Sequence, residues 1–141
     1  MRNTQSDLRL GSLEFFAPMR RPPTATGANG KRVNTKTGAI FDSDDLAEAR
    51  TAIEAAISPF VPKKPLHGAI GTEIRWCYPT RGKRAQGEPY TAKPDADNSA
   101  KALMDALERL GFIEDDKLVA ELHIFQAWSD PSGLYVRLWE I

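Results

Sequence analysis

The side chains in this chain best suited to chemistry are carboxylates in its second half. Asp95 and Asp97 are separated by one small residue, Ala96. If that stretch is extended, both carboxylates project from the same side of the backbone. Two carboxylates held together repel one another unless a cation sits between them. Hard divalent cations such as Mg²⁺ take oxygen ligands and keep waters that a substrate can replace. A second acidic pair, Asp115-Asp116, lies further along. It meets the first if Asp116 begins a strand that runs back beside the residues leading into Asp95. Lys101 stands one helical turn after Asp97, so it projects toward the same end of a helix. An ammonium there would stabilise charge developing on a phosphoryl oxygen or orient an attacking water. Its plainer role is an i,i+4 pair with Asp105, about 0.3–0.5 kcal/mol at an exposed site, and spacing alone favours that plainer role.

Other readings of these residues fail. Asp95-Ala96-Asp97-Asn98 begins like a calcium loop, but Ala100 stands where an EF-hand needs Gly, and Ala106 where it needs the bidentate Glu. Gly30-Lys31 lacks the spaced Gly and the following hydroxyl residue of a P-loop. His67 and His123 are isolated and read as surface or packing residues. Trp76, Trp128 and Trp139 fall on expected strands and read as core or interface rather than as base-stacking platforms.

The elements that must position the carboxylates follow from periodicity. Leu13 to Ala17 is a short aromatic strand ended by Pro18. Residues 18–38, rich in Pro, Gly, Thr and Asn, read as a long irregular loop, a kind that is usually functional or disordered. Ser43-Asp44-Asp45 offers N-caps before Leu46, Ala49, Ile53, Ala56 and Ile57, whose spacing predicts a helix over 44–57, stopped by Pro59 and Pro62. Ala69 to Tyr78 alternates, with Ile70, Thr72, Ile74 and Trp76 on one face. Residues 79–94 form a second basic loop. Ala100, Leu103, Leu107 and Leu110 then mark a second helix, capped by Asp97 or Asn98 and ended by Gly111. Leu118–Ala127 and Leu134–Glu140 read as the last strands, with Pro131-Ser132-Gly133 turning a terminal hairpin. The polar stretch 1–11 is expected to be disordered. The fold class expected is α+β: one domain over residues 1–141, in β-α-β-α-β-β order, with a mixed sheet and helices packed against it.

Composition sets the outer bounds. With 141 residues and 41% of them hydrophobic, the chain can bury one real core. No apolar run approaches the roughly 20 residues of a membrane span, and the first residues lack the apolar stretch of a signal peptide. Cys77 is the only cysteine, which excludes an intrachain disulfide and a thiolate metal cage. A reducing cytoplasm is the expected setting, with no membrane partner and no organic cofactor. Formal net charge is zero, but it is unevenly distributed. Residues 15–41 carry Arg20, Arg21, Lys31, Arg32 and Lys36 with no acid, and residues 55–94 carry seven basic residues against Glu73 and Glu88. Residues 95–141 carry ten acidic residues against four basic. Binding phosphates needs local positive potential rather than a positive total. Any one of these charges taken alone reads as ordinary solvated surface.

The run Lys93-Pro94-Asp95-Ala96-Asp97-Asn98-Ser99-Ala100-Lys101, continuing to Asp105-Ala106-Leu107, resembles the RusA family of crossover-junction endodeoxyribonucleases. The family pattern is Pro-Asp-x-Asp-Asn, Lys three residues on, then Asp-Ala-Leu. A Gly-aromatic pair follows, here Gly111-Phe112, and an Asp-Asp pair before a short apolar strand, here Asp115-Asp116-Lys117-Leu118-Val119. The resemblance spans about residues 93–123 without a gap. Ala96 and Ser99 depart from it, standing where the family often has Leu. Further toward the N-terminus only the style matches: a strand, a Pro-rich basic loop and a helix.

The resemblance implies a Mg²⁺-dependent homodimer (with Mn²⁺ as a substitute) that binds four-way DNA junctions and cuts two strands symmetrically. It implies that Asp95, Asp97 and Asp116 hold the metal, with Asp115 a further candidate and Lys101 assisting. Phosphates would be held by Arg20, Arg21, Lys31, Arg32, Arg81, Lys83, Arg84 and Lys93. Two alternatives stand beside it: a DNA-binding homologue that has lost catalysis, and a nuclease acting on flaps or other branched DNA.

Overall fold

Buried residues at every second position from Ile70 to Tyr78, all but Thr72 apolar or aromatic, make the strand at the centre of the molecule. The computed structural model describes residues 11–24, 31–42 and 44–141. Its elements are β1 (Ser12–Pro18), β2 (Lys31–Val33), β3 (Ile40–Asp42), α1 (Asp44–Ile57), β4 (Ile70–Tyr78), β5 (Glu88–Pro89), α2 (Ala96–Leu110), β6 (Val119–Trp128) and β7 (Gly133–Glu140). Short 3-10 turns occupy Ser58–Phe60 and Asp116–Leu118. Five strands form one mixed sheet in the order β1-β7-β4-β6-β5, and β2 and β3 form a separate ribbon. This is the α+β class expected.

Ile70, Thr72, Ile74, Trp76 and Tyr78 are all buried on one face of β4, whereas Glu73, Arg75 and Cys77 are not. Leu134, Val136 and Leu138 of β7 are fully buried and belong to the same apolar cluster. Ile53 and Ile57 of α1 and Leu103, Ala106 and Leu107 of α2 join that cluster, so both helices pack onto this face. Each such side chain contributes roughly 1.5–3 kcal/mol by leaving water. Gly111 ends α2 with φ 92°, a left-handed position where Gly meets no Cβ penalty.

The expected terminal hairpin is corrected by the pairing. β6 runs parallel to β4 and β7 antiparallel to it, so β4 lies between them. Pro131-Ser132-Gly133 therefore carries the chain across the end of β4, where Ser129 N–H donates to Tyr78 O (2.8 Å), and on to β1, where Met19 N–H donates to Ser132 O (3.2 Å). Alternation within β6 and β7 specifies two strands but not which neighbours they take. With buried side chains along nearly all its length, β4 takes the interior place, and the less buried β6 lies nearer the edge.

Smaller expectations also shift. The first long loop contains β2, whose partner β3 lies just beyond it, and the second contains the two-residue β5. Asp95, rather than Asp97 or Asn98, is the N-cap of α2. Asp116 begins a 3-10 turn rather than a strand. The disorder expected for residues 1–11 falls, except for Gly11, outside the described residues, as does the Ser43 cap.

Candidate metal centre and nucleic-acid interface

Asp95 is extended (φ −71°, ψ 161°), and its carbonyl accepts from Ser99 N–H at 3.0 Å, opening the helix. Its carboxylate makes no cap bond to the backbone; instead Oδ1 accepts from Asn98 Nδ2 at 2.7 Å. Asp97 lies in the first helical turn. The positive end of the helix macrodipole favours carboxylates there, offsetting part of their mutual repulsion.

Asp97, Lys101, Asp105 and Glu108 follow one another at intervals of four, four and three residues along α2, which places them on one stripe of the helix. This stripe forms one wall of an open depression of about 270 Å³, lined by Asp97, Ala100, Lys101, Met104, Asp105, Asp116 and Leu122. Asp97, Lys101 and Asp116 are thus brought to one surface despite their distance along the chain. Asp95 is not among the lining residues.

The other end of the stripe holds a tighter cluster. Ligand oxygens of Glu108, Asp115 and Asp116 all lie within 4.8 Å of one another. Glu108 Oε1 accepts from Asp116 N–H at 3.0 Å, fixing the turn that follows the helix. Asp115 caps that turn by accepting from Lys117 N–H at 3.0 Å, and this bond holds its carboxyl below the usual carboxylate range despite some opposing desolvation. The Lys117 ammonium, 3.6 Å away, acts in the same direction. A cation would relieve the repulsion among three carboxylates this close, and an all-oxygen donor set suits a hard divalent ion. Glu108 was not foreseen. Its signal was its place on the stripe begun by Asp97, but a single acid near a helix end is common.

Asp97 and Glu108 are eleven residues apart on one helix, about 16 Å along its axis at 1.5 Å per residue. They cannot share an ion. Asp116 is the residue common to the depression and the tight cluster.

The basic residues assemble separately. Arg21, from the first loop, joins Arg81, Lys83 and Arg84, from the second, around a depression of about 240 Å³ completed by Pro79, Thr80 and Trp128. Lys93 is exposed just before the acidic stretch, and its carbonyl accepts from Tyr90 Oη at 2.6 Å. The Arg20 carbonyl accepts from Ser132 Oγ at 3.2 Å. Lys31 and Arg32 lie on β2, outside the main sheet.

The fold is a mixed sheet carrying two helices, with an acidic depression along one helix and a basic one beyond the end of the central strand. The model of the family Endodeoxyribonuclease RusA matches residues 22–139. The chain therefore belongs to the RusA family of endodeoxyribonucleases, phosphodiester hydrolases that act on DNA. No curated protein sequence matches it. Among the described residues, no helix is long and apolar enough to cross a membrane.

Proposed function

We propose that the protein is a divalent-metal-dependent endonuclease that resolves four-way DNA junctions, acting as a homodimer in the cytoplasm. The observation that carries this reading is the meeting of Asp97, Lys101 and Asp116 on one depression in a chain of this family. Asp97 and Asp116 would hold the ion, with Asp95 at the helix start and the neighbouring Asp115 as further oxygen donors. When bound, a divalent ion lowers the pKa of a water and neutralises charge on the leaving oxygen.

The remaining work falls to side chains of this chain. Lys101, exposed on the same wall, places an ammonium where negative charge builds on the phosphoryl oxygens. Glu108 holds the backbone of Asp116 and so fixes where that carboxylate begins. Arg21, Arg81, Lys83, Arg84 and Lys93 supply positive potential that orients DNA by its phosphates, with little base readout. A two-fold dimer would present two such sites to a junction of matching approximate symmetry.

The test is a synthetic four-way junction incubated with the purified protein and Mg²⁺. Paired nicks at symmetric positions in opposing strands are expected. Asp97→Asn should abolish the nicks while leaving junction affinity within about threefold, because it removes a ligand charge and no phosphate contact. Binding by the wild-type protein without cleavage would identify a homologue that has lost catalysis. Better cutting of flaps than of junctions would reassign the substrate.

A further inference from the structure

The basic depression has a feature that phosphate binding alone does not require, an aromatic wall. Trp128, at the end of β6, lines it together with Arg21, Arg81, Lys83 and Arg84. The indole is half-buried and backed by Tyr90, with ring centroids 4.9 Å apart, and by the edge of Tyr78 at 6.2 Å. Tyr78 and Tyr90 stack on each other at 3.7 Å. The Trp128 ring is therefore a fixed plate. Above it lies the Arg84 guanidinium, 5.1 Å from the ring centroid. A planar cation in that position shows that this face accepts a flat partner, and a base would take the place of the Arg84 guanidinium there. Arg84 itself is half exposed and bound only loosely to Glu88, at 3.8 Å.

The loop that carries the cations is tied down. Arg81 has φ 54°, a left-handed conformation that costs energy in a residue with a Cβ. Lys83 N–H donates to Thr80 O at 3.0 Å, and the Thr80 hydroxyl donates to Asp130. Gln86 bridges the same corner, donating to Ser129 Oγ at 2.7 Å and to Asp130 O at 2.8 Å. Asp130 is thus engaged in holding the loop, so its charge is turned toward Thr80 and the backbone while the cations face the depression.

We propose that this depression takes one unpaired nucleotide of the DNA, its base stacked on Trp128 and its phosphate held by Arg81, Lys83 and Arg21. The inference rests on the DNA reading above. The volume of about 240 Å³, below the roughly 300–1,000 Å³ of drug-sized pockets, suits a base with its sugar and phosphate at the open rim rather than a helical arm. Stacking on an aromatic ring beside cations is the usual means of holding unpaired bases without reading sequence. Leu122 of the acidic depression and Trp128 are six residues apart on β6 and so project from the same face, about 20 Å apart. Trp128 thus combines the packing role expected of a strand residue with a ring face that already holds a planar cation.

The test compares a single strand with a blunt duplex of the same sequence, measured by anisotropy without divalent metal. Trp128→Ala should weaken single-strand binding about tenfold and duplex binding less than twofold, and Trp128→Phe should recover most of the loss. Equal losses on both DNAs, or no loss, would overturn the proposal. If Trp128→Ala proves unfolded, the wild-type protein decides alone: 2-aminopurine in the single strand should be quenched on binding, and unchanged emission refutes stacking. Wild-type protein that cleaves junctions but is indifferent to Trp128 substitution sinks only this pocket. Wild-type protein that binds no DNA sinks the junction reading with it.

Discussion

At the residue scale, the acidic stripe of α2 explains why one cation belongs among so many anions. Lys101 stands one turn from both Asp97 and Asp105 on an exposed wall. As a purely structural pair it would contribute only about 0.3–0.5 kcal/mol, and its loss would pass unnoticed in activity. If it instead faces charge building on phosphorus, Lys101→Ala should slow single-turnover cleavage at least tenfold while raising the junction Kd less than threefold, read from rates at saturating protein beside anisotropy titrations. Equal effects on rate and Kd would make it an ordinary phosphate contact. That Asp97 and Lys101 share one surface was legible from their spacing. Glu108 was not, because its importance comes from the tertiary contact with Asp116 N–H, which periodicity cannot reveal.

At the element scale, the sheet depends on how closely its paired strands approach one another. Gly71 in β4 is buried, and a Cβ there would run into the indole of Trp139 on the neighbouring β7. Gly71→Ala should therefore overpack the junction of the two strands and cost about 1–3 kcal/mol. Thermal unfolding should show it as a Tm several degrees lower, and an unchanged Tm would show that the indole moves aside freely. Helices and strands were legible from alternation and helical spacing, as in Ile70–Tyr78 and Asp44–Ile57. Strand order was not. The Pro131-Ser132-Gly133 turn has hairpin chemistry, yet it steps over the end of β4, because the heavily buried β4 takes the interior place between β6 and β7. The short ribbon of β2 and β3 and the two-residue β5 were likewise hidden inside stretches with the composition of loops.

At the scale of the whole molecule, a chain with zero formal net charge separates its charges so that one surface can hold an anion and another a cation. Arg21, Arg81, Lys83 and Arg84 gather in one depression, and Asp97, Asp105 and Asp116 line the other. That segregation was visible in the sequence as blocks of like charge. The meeting of Arg21 with the 79–94 loop was not, since it depends on β1 reaching the same end of the sheet as β4 through β7. Metal-dependent cleavage requires a divalent ion in the acidic depression of α2. Crystals soaked in Mn²⁺ and measured at its absorption edge would locate it directly. The prediction is an anomalous peak in the α2 depression, ligated by both Asp97 and Asp116. A peak held by Glu108, Asp115 and Asp116 without Asp97, or no peak in the depression, would contradict it.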